Sequence, residues 1–116
     1  MYLADYHIHS SVSHDGSMPI SELARRYLEA GFDEICVTDH MDTLDGYTGK
    51  LNPAFPWEEL QRQYEEACAE FGDRIRMRLG VEIGGAPWAA AHTEYLMAQG
   101  PELDFVIGSM HMMSEK

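Results

Sequence analysis

A chain of 116 residues has room for one domain and not for two. Its hydrophobic fraction of 45% supports a core and argues against disorder, while its apolar runs, such as Phe105-Val106-Ile107, fall far short of the roughly 20 residues that span a bilayer. A formal net charge of -12 repels phosphate backbones and sets the chain against non-specific nucleic-acid binding.

In chain order, residues 2–9 read as a strand ending in polar residues. Residues 19–30 read as a helix with Leu23, Ala24, Tyr27 and Leu28 on one face and Gly31 as its stop. Residues 34–38 form a short β-rich run, followed by a loop over 41–56 rich in Gly, Asp, Asn and Pro. The clearest helix is 57–71, where Leu60, Tyr64, Ala67, Cys68 and Phe71 make an apolar stripe and Gly72 ends it. Its acids Glu58, Glu59, Glu65, Glu66 and Glu70 read as a solvated face. A third strand is expected over 76–83, a third helix over 89–98 and a fourth strand over 105–108. Strands separated by helices imply a parallel sheet, whose ligands sit at the C-terminal strand ends.

The polar residues gather at those ends. The first strand ends in His7-Ile8-His9, the second in Thr38-Asp39-His40, the third in Gly80-Val81-Glu82 and the fourth in Gly108-Ser109-Met110-His111. Imidazole and carboxylate together suit Zn, Fe, Mn and similar ions. Positions i and i+2 of a strand share a face, so His7 and His9 can grip one ion, and the two oxygens of Glu82 can bridge two. Asp15 in the following loop is a further candidate. Singly, each motif has an ordinary explanation. His-x-His recurs by chance, Asp39-His40 can be a helix cap or a salt-bridged pair, Glu82 a satisfied buried acid, and His111 a core or surface histidine. Their joint placement favours a metal site. His14, in a turn, and His92, on a helix, lack that placement and read as ordinary histidines. Asp5 precedes His7 by two residues and is placed to orient it. Cys36 and Cys68 read as buried thiols rather than a disulfide or zinc pair, and the eight Met residues as packing.

The segments Asp5-Tyr6-His7-Ile8-His9-Ser10, Ser13-His14-Asp15-Gly16, Val37-Thr38-Asp39-His40, Gly80-Val81-Glu82-Ile83-Gly84 and Asp104-Phe105-Val106-Ile107-Gly108-Ser109-Met110-His111 together resemble the PHP (polymerase and histidinol phosphatase) family. The last two runs look most like histidinol-phosphatases. The resemblance implies an α/β fold, a distorted (β/α)7 TIM-like barrel of which residues 1–116 are the N-terminal portion. It implies two or three divalent ions (Zn, Fe or Mn) held by His7, His9, Asp15, His40, Glu82 and His111, with Glu82 as the bridge and Glu82 and His40 at the catalytic centre. The reaction implied is hydrolysis of the phosphomonoester L-histidinol phosphate in histidine biosynthesis, with no covalent enzyme intermediate.

The family's later strands, with their further metal ligands and phosphate-holding basic residues, have no counterpart here. A catalytically incomplete metal-binding fragment, self-associating through open barrel edges, is therefore an alternative expectation. The PHP module of a DNA polymerase is another, disfavoured by the acidity and the lack of an attached polymerase. The N-terminus shows no signal-peptide pattern, so a cytoplasmic location and a small phosphorylated substrate, with neither nucleic acid nor membrane as partner, complete the expectation.

Overall fold

A computed structural model describes residues 1–13, 16–45, 48–85 and 87–109. Four strands, β1 (Ala4–Ile8), β2 (Glu34–Asp42), β3 (Arg76–Gly84) and β4 (Phe105–Ser109), alternate with helices α1 (Ile20–Glu29), α2 (Trp57–Phe71) and α3 (Ala90–Ala98), the last preceded by a 3-10 turn at Pro87–Ala89. All strand pairs are parallel, and the sheet order β1-β2-β3-β4 follows the chain. Sequential order without a reversal is how a β/α barrel wall is laid down, whereas a doubly wound sheet switches direction. The expected α/β half-barrel is the fold.

The local chemistry accounts for the elements. α1 closes in a left-handed Gly31 (φ 92°). Phe32 N donates to Tyr27 O and Gly31 N to Leu28 O, with the Tyr27 and Phe32 rings in edge contact at 4.8 Å. That is the paired 6→1 and 5→2 C-cap with its hydrophobic clasp. The start of α1 has no cap from its own side chains. Instead Gln63, buried on α2, accepts a hydrogen bond from Ile20 N at 3.0 Å. The periodicity of α2 marked Leu60, Ala67 and Phe71 correctly, and the acids at 58, 59, 65, 66 and 70 are exposed as expected. Gln63 was hidden in that reading, because an amide on an apolar stripe gives no periodic signal.

The core lies between the sheet and the helices. Ile35, Val37 and Met41 of β2 and Met77, Leu79 and Val81 of β3 meet Ile20, Leu23, Leu60 and Phe71. These odd-numbered strand residues share one face, which leaves the even-numbered Glu34, Cys36, Thr38 and His40, with Arg78, Gly80 and Glu82, on the other. Gly80 is bare for a reason. A Cβ there would lie 2.1 Å from Phe105 O, so β4 can close against β3 only over a glycine.

β2 runs four residues beyond the expected 34–38, through Asp42, and takes Met41 and Asp42 from the expected loop. Residues 39–42 pair in register with Val81–Gly84. Their polar composition concealed a strand that pairing with β3 sustains. β1 is shorter than expected, and His9 falls one residue past its end. Its register slips between Asp5 and Ile8, where three steps on β1 match two on β2. That bulge turns the alternation over. Asp5 faces α1, where Tyr27 Oη donates to it at 2.8 Å, while Tyr6 and His7 both reach groups on the even-numbered face.

Candidate metal centre

Four side chains delivered by three strands converge at the C-terminal end of that face. His7 Nε2 lies 2.9 Å and His9 Nε2 2.8 Å from the same oxygen, Glu82 Oε1. His40 Nδ1 is 3.7 Å from it. The His9 and His40 rings sit 4.2 Å apart between centroids, and those of His7 and His9 5.3 Å apart. The register explains the meeting, since His40 is paired directly with Glu82. His9 and His40 are largely covered, His7 is the solvent-facing member, and Glu82 is buried.

Burial alone would raise the Glu82 carboxyl. Hydrogen bonds with His7 and His9 and the charge of His40 outweigh it and hold the group below its ordinary range. An ionised carboxylate amid three imidazoles is a donor set for zinc or a similar ion. Tetrahedral zinc separates neighbouring donor atoms by roughly 3.3 Å. The separations from Glu82 Oε1, 2.8, 2.9 and 3.7 Å, straddle that value. His7, His9 and Glu82 therefore fit a metal by both chemistry and spacing, the three ligand atoms lying within 4.8 Å of one another.

Of the six residues expected in the site, His7, His9, His40 and Glu82 are brought together, while Asp15 and His111 lie outside the described residues, as does His14. His92 is ordinary, as expected: its Nε2 contacts Asn52 O, and its ring stacks on Tyr95. Among the described residues Asp5 acts on His7 through its backbone and not through its ring. Its Oδ1 accepts from His7 backbone N at 3.0 Å, so it fixes the bulge that aims the side chain. Among the described residues Asp39 is neither a helix cap nor half of a salt bridge; it accepts hydrogen bonds from Ser10 and Ser13. Both thiols are free, and burial pushes Cys36 up to about 12 and raises Cys68, so neither is poised as a nucleophile or a ligand. Among the described residues, no helix is long and apolar enough to cross a membrane.

Comparison with known proteins agrees with this geometry. A histidinol-phosphatase of Lactococcus lactis subsp. lactis (strain IL1403) is 34% identical over 116 residues, covering 96% of this chain and 40% of the relative. A probable histidinol-phosphatase of Deinococcus radiodurans is 30% identical over 118 residues, covering 96% and 43%. The DNA polymerase/3'-5' exonuclease PolX of Bacillus subtilis (strain 168) is 32% identical over 111 residues, covering 92% and 18%. The crystal structure of the Lactococcus lactis histidinol phosphate phosphatase, complexed with zinc, L-histidinol and phosphate, superposes with a TM-score of 0.75 at 28% identity, covering 97% of this chain and 41% of that one. The chain thus spans less than half the length of each of these relatives. The PHP domain family matches residues 5–116, nearly the whole sequence, and the chain belongs to that family.

Proposed function

We propose that the chain carries part of the active site of a metal-dependent phosphomonoester hydrolase acting on histidinol phosphate. The observation that carries this reading is the convergence of two imidazoles on one buried carboxylate at the C-terminal strand ends. The histidinol-phosphatase relatives support the substrate, and the zinc complex of the Lactococcus enzyme supports the ion. In this reading His7, His9, His40 and Glu82 hold two or three divalent ions, with Asp15 and His111 as further ligands and Glu82 as the bridge between ions.

When bound, such ions neutralise phosphate oxygens and make water acidic enough to act as a nucleophile. The chain's own residues have distinct tasks. Glu82 supplies negative charge where cations must gather, which lets an acidic chain hold an anionic ester. His9 and His40 exclude bulk water on the covered side. His7, exposed, leaves the opposite side open to substrate. The same assignment makes the substrate a small molecule in a cytoplasmic biosynthetic setting.

The test measures zinc per purified chain by plasma mass spectrometry, with phosphate release from histidinol phosphate in the same sample. Zinc at or above one per chain with release bears the reading out. Zinc without release keeps the ligand assignment and leaves this chain a part of the site that does not turn over alone. A folded chain without zinc overturns both. The PolX relative motivates a second reading, as the module of a DNA-processing enzyme. Release of nucleotides from single-stranded DNA, with histidinol phosphate left intact, would select it.

A further inference from the structure

One buried carboxylate near the centre is not among its converging donors. Asp39 is fully buried on the helix-facing side of β2, between Val37 and Met41, which are equally buried. An ionised group in such surroundings is costly unless hydrogen-bonded. Its hydrogen-bond partners among the described residues come from one short segment, the residues that follow His9. Oδ1 accepts from Ser10 N at 2.6 Å and from Ser13 Oγ at 2.7 Å, and Oδ2 accepts from Ser10 Oγ at 2.7 Å. Ser10 and Ser13 are themselves buried.

The link continues beyond the carboxylate. Ser13 Oγ, while donating to Asp39, accepts from His40 N at 2.8 Å. Ser10 Oγ accepts from Val12 N at 3.1 Å, and Ser10 O from Ser13 N at 3.1 Å, so the segment is wound about the two hydroxyls. Gly16 packs where a Cβ would lie 1.9 Å from Ser10 O, and its N donates to Ser13 O. The segment just after His9 is thus strapped to the strand that carries His40 through one side chain.

We propose that Asp39 is a positioning residue, a clamp that sets His9 of the β1 end against His40 of β2 and so fixes the spacing of the metal centre. The proposal rests on the metal-centre reading for its purpose and on the hydrogen bonds for its mechanism. Asp39 touches no ion itself. It acts by holding two backbones whose imidazoles lie 4.2 Å apart. Supporting groups of this kind are worth on the order of 10–100-fold in metal affinity.

The experiment uses the full chain, cobalt(II) as probe and the variants Asp39→Ala, Asp39→Asn and Ser13→Ala. Cobalt affinity is followed by its visible absorption, and the His9 and His40 ring signals are followed by NMR without metal. Asp39→Ala should weaken cobalt binding by about 10-fold or more and displace both ring signals while the chain remains folded. Asp39→Asn keeps Oδ1 for Ser10 N and Ser13 Oγ, and Ser10 Oγ can turn to accept, so most of the affinity should return. Unchanged affinity and ring signals in a folded Asp39→Ala chain would overturn the clamp.

Where Asp39→Ala does not fold, Ser13→Ala decides. It removes only the hydroxyl joining Asp39 to His40 N, and unmoved His40 signals would overturn the proposal. A wild-type chain that takes up no cobalt would sink the metal-centre reading alone. The metal-free ring signals would then judge the clamp, displaced signals upholding it and unmoved signals overturning it.

Discussion

The same face of the sheet carries a buried glutamate at each end, and the two have opposite surroundings. At the N-terminal end Glu34 accepts from Tyr2 Oη at 2.8 Å, from Tyr6 Oη and from Arg78 Nε at 3.2 Å. Six residues further along, roughly 20 Å at strand rise, Glu82 meets His7, His9 and His40. Both carboxyls are held below their ordinary range, Glu34 chiefly by the phenols and Glu82 by imidazoles that overcome burial. The difference lies in what the partners can do. Phenols and a guanidinium at neutral pH are committed donors, so the Glu34 set is complete as it stands. An imidazole donates to a carboxylate but, on giving up that proton, offers a lone pair as the carboxylate does, so the members of this set can turn from one another to a cation. One end closes a structure, and the other opens a site.

The sharpest way to break this comparison is the matched pair Glu82→Gln and Glu34→Gln. Glu82→Gln keeps the shape and removes the charge. Its zinc affinity, read by chelator competition, should fall by on the order of 100-fold, or about 2.7 kcal/mol, while the metal-free chain changes little in urea. Glu34→Gln should leave zinc affinity alone. Equal affinity losses at both positions would mean that the ends are one electrostatic unit and that the division is false.

How much of this contrast could be read in the sequence depended on what each residue needed. Glu82 and His40 were legible because a strand's end and its polar termini share one place in the chain. The register that pairs them was not, but a parallel sheet of consecutive strands delivers it. Glu34 gave no sign, since its partners lie 28 to 44 residues away and an acid that opens a β-rich run carries no mark of them. The bulge in β1 was equally silent. Strict alternation would put Asp5, His7 and His9 on one face, and only the pairing shows the extra residue. Polar residues that satisfy one another across the fold, such as Gln63 and Asp39, escape periodicity for the same reason.

The Glu34 end makes the next largest prediction. Glu34→Gln replaces a charge-assisted acceptor, so the loss should be about 1–2 kcal/mol in urea at pH 7. Its pH dependence follows from the shifts. The Glu34 carboxyl is lowered from 4.5, so its contribution is present above that value and is lost as pH falls through the depressed one. The phenols of Tyr2 and Tyr6 are raised from 10.0, first of all by hydrogen bonding to Glu34, so their contribution is present below 10.0 and is lost as pH rises through the higher values. Wild type and Glu34→Gln should therefore differ between about pH 4.5 and 10 and converge outside it. A constant difference at every pH would assign the loss to packing rather than to the network.

The smallest effect tests whether support from the helix side belongs to the fold or to the site. Tyr27 donates from α1 to Asp5 Oδ2, while the other oxygen, Oδ1, holds His7 N in the bulge. Burial, and then the hydrogen bond to Asp5, raises the phenol to about 12. Its contribution is thus intact below 10.0 and fades only as pH approaches 12. Tyr27→Phe removes one hydrogen bond and leaves the one that defines the bulge. Stability should fall by about 1 kcal/mol, and zinc affinity should change less than about threefold, because His7 keeps its backbone anchor. Asp5→Ala removes both bonds and should cost affinity as well. If Tyr27→Phe alone lowers zinc affinity as much as Asp5→Ala does, the aim of His7 is set by α1 and not by the bulge, and the metal end depends on helix packing.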